Sequence, residues 1–184
     1  MTPTELLKQE HRSIEEMLQV MEAVCKKLES GEQVSTDDLN NIVEFIKVFA
    51  DKAHHGKEED LLFVAMVDAG IPKEGGPVGM MLMEHDMGRN FVKGMGEAIQ
   101  EYSSGNKEAA TKIIENARNY ASLLSNHIYK EDNILYPMAD MHLSEDKQNE
   151  LLGEFNIVQS EKIGNETYTR LLDTLNELKE KYLS

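Results

Sequence analysis

Two copies of one short motif constrain the fold of this chain more than any other feature. Residues 54–63 (HHGKEEDLLF) align without a gap with residues 127–136 (HIYKEDNILY). In each copy a histidine precedes a glutamate by four residues: His54 and Glu58, then His127 and Glu131. On an α-helix this spacing places both side chains on one face, one turn apart. Each copy can therefore offer an imidazole and a carboxylate to the same metal ion.

A further histidine precedes each copy at a matching distance. His11 lies 43 residues before His54, and His85 lies 42 residues before His127. The residue directly before each of these two histidines is a glutamate: Glu10 and Glu84. The chain contains six histidines, and four of them follow this repeated order. The repeat therefore predicts two similar helical hairpins with the same set of candidate ligands.

Apolar residues surround each of these histidines at helical spacing. In the first predicted helix the spacings alternate between four and three residues: Leu7, His11, Ile14, Leu18, Met21, Cys25 and Leu28. Similar stripes in three further helices contain the other candidates: His54 with Glu58, then His85, then His127 with Glu131. Such stripes are typical of the seams of a helix bundle. The sequence therefore predicts four helices that direct these six side chains inward.

The predicted helix ends place the histidines at one depth. A helix starts at Thr2-Pro3, and helices end at Ser30-Gly31 and at Ser104-Gly105. His11 and His54 each lie about 18 residues from the first turn, or ~27 Å at 1.5 Å per residue, so an antiparallel hairpin brings them level. The same count holds for the second pair of histidines. Because unpaired buried polar groups are costly, we expect these side chains to bind something.

Length and composition indicate one helical domain and exclude several kinds of partner. A chain of 184 residues can form one domain with a substantial core, and the absence of tryptophan and the four prolines suit long helices. The net charge of −15 argues against nucleic acid and against an anionic membrane as partners. Cys25 is the single cysteine, so no internal disulfide forms and a reducing compartment is expected. Neither a signal peptide nor a membrane-spanning run is recognisable, which predicts a cytoplasmic protein.

Four imidazoles and two carboxylates that project into a four-helix bundle form a two-metal site. Imidazole with carboxylate suits iron, and also manganese or zinc. A glutamate from each of two helices can bridge two ions while the histidines fill terminal positions. If some coordination positions of the ions are not filled by protein side chains, a small molecule can bind there.

The ordered ligand pattern resembles the hemerythrin-like cation-binding (HHE) domains over residues 4–141. The local forms EEDLLF, EHDMGR and KEDNILYP add to the resemblance. It implies an all-α, up-down-up-down four-helix bundle with two iron ions in a non-haem di-iron centre, oxo- or hydroxo-bridged. The implied terminal ligands are His11, His54, His85 and His127, and the implied bridges are Glu58 and Glu131.

One position departs from the oxygen-carrying members of this family. Oxygen carriers have a fifth histidine four residues after the ligand that His85 matches, and this chain has Arg89 there. The set of four histidines and two glutamates is more similar to the di-iron proteins linked to nitrosative stress and iron-cluster repair. The departure therefore argues against simple reversible oxygen carriage.

Residues beside the ligand pattern are given structural roles. We expect His55 and Glu59 to flank the site as supporting residues, and His142 to lie on the surface at a helix end. Four methionines near His85 are interpreted as core-filling residues rather than copper ligands: Met80, Met81, Met83 and Met87. Gly88 is open to two readings, room for a ligand or close helix contact. Tyr120 and Tyr129 either pack or reach the site, and Cys25 is expected to be buried.

Residues 1–143 are predicted to form the metal-binding bundle, and residues 144–184 a helical extension that packs on it or contributes to a homodimer contact. The leading functional hypothesis is a di-iron protein that binds or reduces dioxygen, peroxide or nitric oxide in sensing or stress defence. Peroxidase- or oxidase-like turnover and binding without turnover both remain open. The alternatives are an iron donor or repair partner for other iron centres, and an interaction module with a structural metal site.

Overall fold

The computed structural model describes all residues from Met1 to Ser184 and contains helices but no strands. The six helices are α1 (Pro3–Glu29), α2 (36–68), α3 (Pro77–Ser103), α4 (109–142), α5 (145–164) and α6 (Asn165–Tyr182). Helices α1 to α4 form an up-down-up-down bundle, which confirms the predicted all-α fold class. Helices α5 and α6 pack on the outside of this bundle.

The ends of the helices follow local sequence signals. The Thr2 hydroxyl accepts a hydrogen bond from the Glu5 amide at 3.2 Å, while the Glu5 carboxylate accepts one from the Thr2 amide at 2.8 Å. This capping box pairs two amides that the first turn of α1 leaves free. Gly31 and Gly105 have φ angles of 83° and 98°, which glycine adopts without strain, and they follow the ends of α1 and α3. The predicted breaks at these two glycines are confirmed.

Two of the bundle helices contain π-helical segments at the level of the candidate ligands. In α2 these segments are Ile46–His55 and Glu58–Leu62, and in α4 the segment is Glu131–Leu135. A π-helix pairs residue i with residue i+5, so each turn contains an additional residue compared with an α-helix. Glu58 and Glu131 each begin such a segment, and the repeat seen in the sequence is therefore also a repeat of backbone geometry.

The candidate ligands lie in a polar layer between two apolar clusters. The larger cluster fills the end of the bundle that includes Ile14 and Leu124. The smaller cluster fills the other end and includes Leu7 and Leu135. His11 stands between Leu7 and Ile14 along α1, and the other three histidines have equivalent places on their helices. Apolar packing on both sides thus holds the polar layer and keeps water away from it.

The C-terminal helices complete both apolar clusters. Leu171, Leu175 and Leu178 of α6 are buried in the larger cluster, where α6 lies along α1 and α2. Leu151 and Phe155 of α5 are buried in the smaller one. The division of the chain at residue 143 into bundle and extension stays a prediction. No helix of the protein combines the length and the apolar character that crossing a bilayer requires.

Candidate metal centre

The structure brings all six residues of the predicted ligand set together inside the bundle. None of their side chains is more than 2% exposed: His11, His54, Glu58, His85, His127 and Glu131. The Nε2 atom of His11 lies 3.1 Å from the Glu131 carboxylate, and the Nε2 atom of His127 lies 2.9 Å from it. The Nε2 atom of His85 lies 3.3 Å from Glu58. These distances show that the imidazoles face the two carboxylates directly.

The ligand atoms fall into two adjoining groups, within each of which all atoms lie within 4.8 Å of one another. We name them position 1, formed by His11, His54, Glu58 and Glu131, and position 2, formed by His55, Glu58, His85 and His127. Glu58 belongs to both groups. Glu131 also faces both, because its second oxygen lies 2.9 Å from Nε2 of His127. The geometry therefore matches two neighbouring cation positions with carboxylates between them.

Several polar atoms in this layer have no hydrogen-bond partner within the protein. They are buried and unpaired: His54 Nε2, His55 Nε2, Glu58 Oε2 and Glu131 Oε1. Native proteins seldom leave buried polar atoms unpaired, and here four of them cluster in one small volume. Imidazole nitrogen and carboxylate oxygen are donors that iron, manganese and zinc accept. The residues present thus fit a metal-binding site.

Each of the four predicted histidine ligands donates a hydrogen bond from Nδ1–H to a carboxylate. The partner oxygens lie at 2.7 to 3.1 Å in four pairs: His11 with Asp132, His54 with Glu10, His85 with Glu59, and His127 with Glu84. Such a bond fixes the tautomer that leaves Nε2 free, and Nε2 is the atom that points into the site. The carboxylates therefore orient every imidazole for binding a cation.

A basic side chain stands behind each of these carboxylates. The contacts are Arg12 with Asp132, Lys57 with Glu10, Arg89 with Glu59, and Lys130 with Glu84. Burial raises the pKa of these carboxyls, but the hydrogen bonds to histidine and the basic partners outweigh it and lower each pKa. The four supporting carboxylates are therefore ionised and remain acceptors.

The interior of the site attracts positive charge. Burial by itself lowers the pKa of His11, but the carboxylates of Asp132 and Glu131, which lie beside its two ring nitrogens, outweigh burial and raise it to about 9. The same balance, with Glu131 as a partner, raises the pKa of His127 to about 9. Burial also raises the pKa of Glu131, yet the facing histidines pull it well below its usual value. Charge and donor type thus both favour a bound cation.

Tyr136 is a site residue that the sequence analysis did not identify. Its hydroxyl donates a hydrogen bond to Glu58 at 2.6 Å and lies 3.3 Å from Nε2 of His11. The ring stacks on His11 with a centroid distance of 5.4 Å. Of the two tyrosines considered from the sequence, Tyr120 is buried at the cleft beside His55 and His85, and Tyr129 is exposed. Tyr136 therefore provides the only tyrosine hydroxyl that contacts the candidate ligands.

His55 lies inside the site, whereas the sequence analysis placed it at the flank. Its side chain is buried, and it joins the ligand group of position 2. On a regular α-helix His55 would share a face with Val48 and with the exposed Lys52, which favours a place at the flank. The π-helical segment Ile46–His55 shifts that register, so the exposure of Lys52 does not predict that of His55. Burial and the nearby His85 hold the pKa of His55 well below its usual value, and its imidazole is neutral.

The other expectations had mixed outcomes. Glu59 flanks the site as expected, and His142 is exposed at the end of α4, where its Nδ1–H donates to the Met138 carbonyl. Cys25 is buried as expected.

The interpretation of the methionines as core-filling residues is wrong for three of the four, because Met80, Met83 and Met87 are exposed and only Met81 is buried. The three lie on a face of α3 beside the His85 stripe, where no neighbouring helix covers them.

A cleft of about 570 Å³ leads from the surface to position 2 between α2 and α3. Its inner wall includes His55 and His85, and Gly88 lines it as well. A Cβ atom at Gly88 would stand 3.5 Å from the ring of Tyr120, an ordinary contact, so close helix packing does not require a glycine here. The Arg89 guanidinium crosses the cleft and donates from Nε to Asp51 at 3.0 Å. The cleft is the route by which a small molecule can approach the ligands.

The fold and this site define a class of protein, the helical bundles that bind cations through inward histidines and carboxylates. A family model described as hemerythrin HHE cation binding domain matches residues 2–139, and the chain belongs to this family. The family resemblance seen in the sequence is therefore confirmed, and metal-cation binding follows from it. Comparison with curated protein sequences gave no match.

Proposed function

We propose that this protein is a cytoplasmic non-haem di-iron protein that binds or reduces dioxygen, peroxide or nitric oxide in sensing or stress defence. In this proposal His11, His54, His85 and His127 are terminal ligands, and Glu58 and Glu131 bridge the two ions. The observation that carries the proposal is the pair of adjoining ligand groups that share Glu58. These groups contain four buried nitrogen and oxygen atoms that have no hydrogen-bond partner in the protein.

The chain's own residues hold and shield such a centre. Two iron ions would supply the redox chemistry, which the protein groups lack. The supporting carboxylates hold each imidazole in one orientation, and the apolar clusters on both sides exclude water. The Tyr136 hydroxyl donates a hydrogen bond to Glu58, with 2.6 Å between the two oxygens, and so holds a proton at the edge of the site.

The cleft supports small-molecule chemistry over a purely structural metal site. Structural metal sites are closed by their protein ligands, whereas sites that act on small molecules keep an approach open. Here a cleft reaches His55 and His85 at position 2. The inner end of the cleft is narrow, because the side chains of His55 and His85 are at most 4% exposed. Small oxidants suit this approach better than large substrates.

The burial of the ligands argues against the role of iron donor. A donor must release its metal to an acceptor, and that is easiest from exposed or weakly held ligands. Here every candidate ligand is at most 2% exposed, and every histidine is held by a carboxylate that has its own basic partner. These contacts favour retention of the metal.

The test is metal content with the optical spectrum, measured on protein from iron-supplied cells before and after peroxide is added. We expect about two irons per chain, as two-metal bundle sites bind, and a near-ultraviolet band that responds to peroxide. Glu58→Ala should lose the metal, and the matched variant His142→Ala, at an exposed histidine, should retain it. Zinc alone, or a folded chain without metal, would contradict the proposal. Peroxide consumption with a reductant separates turnover from binding.

A further inference from the structure

His55 has a buried ring nitrogen for which the protein provides no partner. The side chain is 4% exposed, and its Nε2 atom makes no hydrogen bond. The other ring nitrogen, Nδ1, lies 3.2 Å from the Asp51 carboxylate and donates to it. The unpaired nitrogen is thus the one that faces the ligand atoms of position 2.

The support behind His55 repeats the arrangement found behind the four predicted ligands. The two oxygens of Asp51 share the Nε–H of Arg89, at 3.0 and 3.1 Å, so a basic group holds this carboxylate too. His55, Asp51 and Arg89 therefore form a fifth series of histidine, carboxylate and basic residue. A histidine that served only to fill the core would need neither an oriented ring nor an unpaired Nε2.

The second half of the chain has no equivalent of His55. When residues 54–63 are aligned with residues 127–136, His55 matches Ile128, and Asp51 matches Leu124 by the same offset of 73. Both Ile128 and Leu124 are buried members of the larger apolar cluster. Position 1 is therefore adjoined by an apolar side chain where position 2 has an imidazole.

We propose that His55 is a protein ligand of the ion at position 2, which then has three imidazoles while position 1 has two. The ring of His55 stacks on that of His85 with a centroid distance of 3.8 Å. The two imidazoles are therefore close enough to bind one ion. The inference rests on the proposed two-metal site and makes its two ions chemically different. Because His55 lines the inner wall of the cleft, the ion with three imidazoles is the one nearest to the cleft.

Proton NMR of the cobalt(II)-loaded protein tests this assignment without an activity assay. Each imidazole bound through Nε2 retains a solvent-exchangeable Nδ1 proton, which the paramagnetic ion shifts far outside the normal range. We expect five such signals, from His11, His54, His55, His85 and His127. His55→Gln should lose one of the five, and the matched control His142→Gln should lose none. Free imidazole added to His55→Ala should restore the fifth signal by entering through the cleft.

The outcomes separate this inference from the proposed function. Two cobalt ions per chain with four exchangeable signals would overturn the role of His55 and leave the two-metal proposal intact. Failure of the unaltered protein to bind two ions would overturn the proposed function and this inference together. The count in the unaltered protein decides the matter even if the His55 variants do not fold.

Discussion

The two halves of the bundle, α1 with α2 and α3 with α4, carry matching sets of the six predicted ligands on matching supports. Three supporting residues repeat with an offset of 73 or 74 residues: Glu10 and Glu84, Lys57 and Lys130, Glu59 and Asp132. In each half the glutamate before the first histidine orients the histidine of the other helix in its hairpin. The repeated unit is therefore larger than the ligand motif and includes the groups that hold it.

The surroundings of these repeated groups differ. Lys57 is fully buried, whereas the side chain of Lys130 is 35% exposed. Helix α6 lies along the first half, and its Tyr168 hydroxyl donates to Glu10, but Glu84 has no such donor. The comparison shows that equal ligands can have unequal environments. Charges in the first half stand in a medium of lower dielectric, where each contact matters more.

Deletion of residues 165–184, which include α6, should have the largest effect on stability. It removes Leu171, Leu175 and Leu178, and full burial of one leucine is worth about 1.5–3 kcal/mol. The expected loss of roughly 5 kcal/mol or more is comparable with the whole unfolding free energy of many domains. Thermal unfolding of the metal-free protein measures it.

The same deletion tests the predicted division of the chain at residue 143. Removal of residues 183–184 alone is the control, because this exposed end should leave the midpoint unchanged. An unchanged midpoint after loss of all of α6 would mean that the extension is an appendage to an independently stable bundle. The difference in environment between the two halves would then not depend on α6.

Lys57→Met and Lys130→Met form a matched pair that tests the inequality directly. Lys57→Met leaves the buried Glu10 carboxylate without its cation, and breaking a buried ion pair costs about 3–5 kcal/mol. Lys130→Met breaks a partly exposed pair, for which about 0–1 kcal/mol is expected. Urea unfolding of both metal-free variants gives the two free energies. Equal losses would show that the repeated pairs have equal environments, contrary to the burial.

The fold was predictable from the sequence because its signals are local. Apolar stripes, a hydroxyl cap at Thr2 and glycines at the turns each act within a few residues, and the structure confirms them. The meeting of the six candidate ligands in one layer was predictable because a repeat with equal spacing needs no knowledge of tertiary contacts, and their binding of a metal stays a prediction. The supporting pairs left a similar signal, since Lys57 and Lys130 align, but a lysine is expected at the surface.

Tyr136 and His55 could not be assigned by helical spacing because the backbone is not a regular α-helix there. Tyr136 follows Glu131 by five residues, which on an α-helix turns it away from the ligand face. In the π-helical segment the Tyr136 amide bonds to the Glu131 carbonyl, so the tyrosine stands directly above the glutamate. Phe63 stands above Glu58 in the same way. The sequence gives no sign of a π-helix, so Tyr136 was not identified and His55 was placed at the flank of the site instead of inside it.

Tyr136→Phe makes the two halves alike at this position, because Phe63 is its counterpart. The variant leaves buried Glu58 without its hydroxyl donor, and a lost buried hydrogen-bond partner costs about 1–3 kcal/mol. Guanidinium unfolding of the metal-free protein measures the loss. Tyr129→Phe is the control, since that hydroxyl is exposed and its removal should change stability by less than about 0.5 kcal/mol. A loss no larger than the control's would mean that Tyr136 contributes only its ring.

Tyr168→Phe should have a smaller effect than Tyr136→Phe. The hydroxyl lies 3.1 Å from Glu10, which keeps Lys57 and His54 as partners, so the net loss is about 0.5–1.5 kcal/mol. For a chain of this size that corresponds to a fall in midpoint of about 1–6 °C, measurable by thermal unfolding. An unchanged midpoint would mean that α6 stabilises the first half through apolar packing alone. A measurable fall would show that α6 also stabilises the series from Tyr168 through Glu10 to His54, which Glu84 and His127 lack.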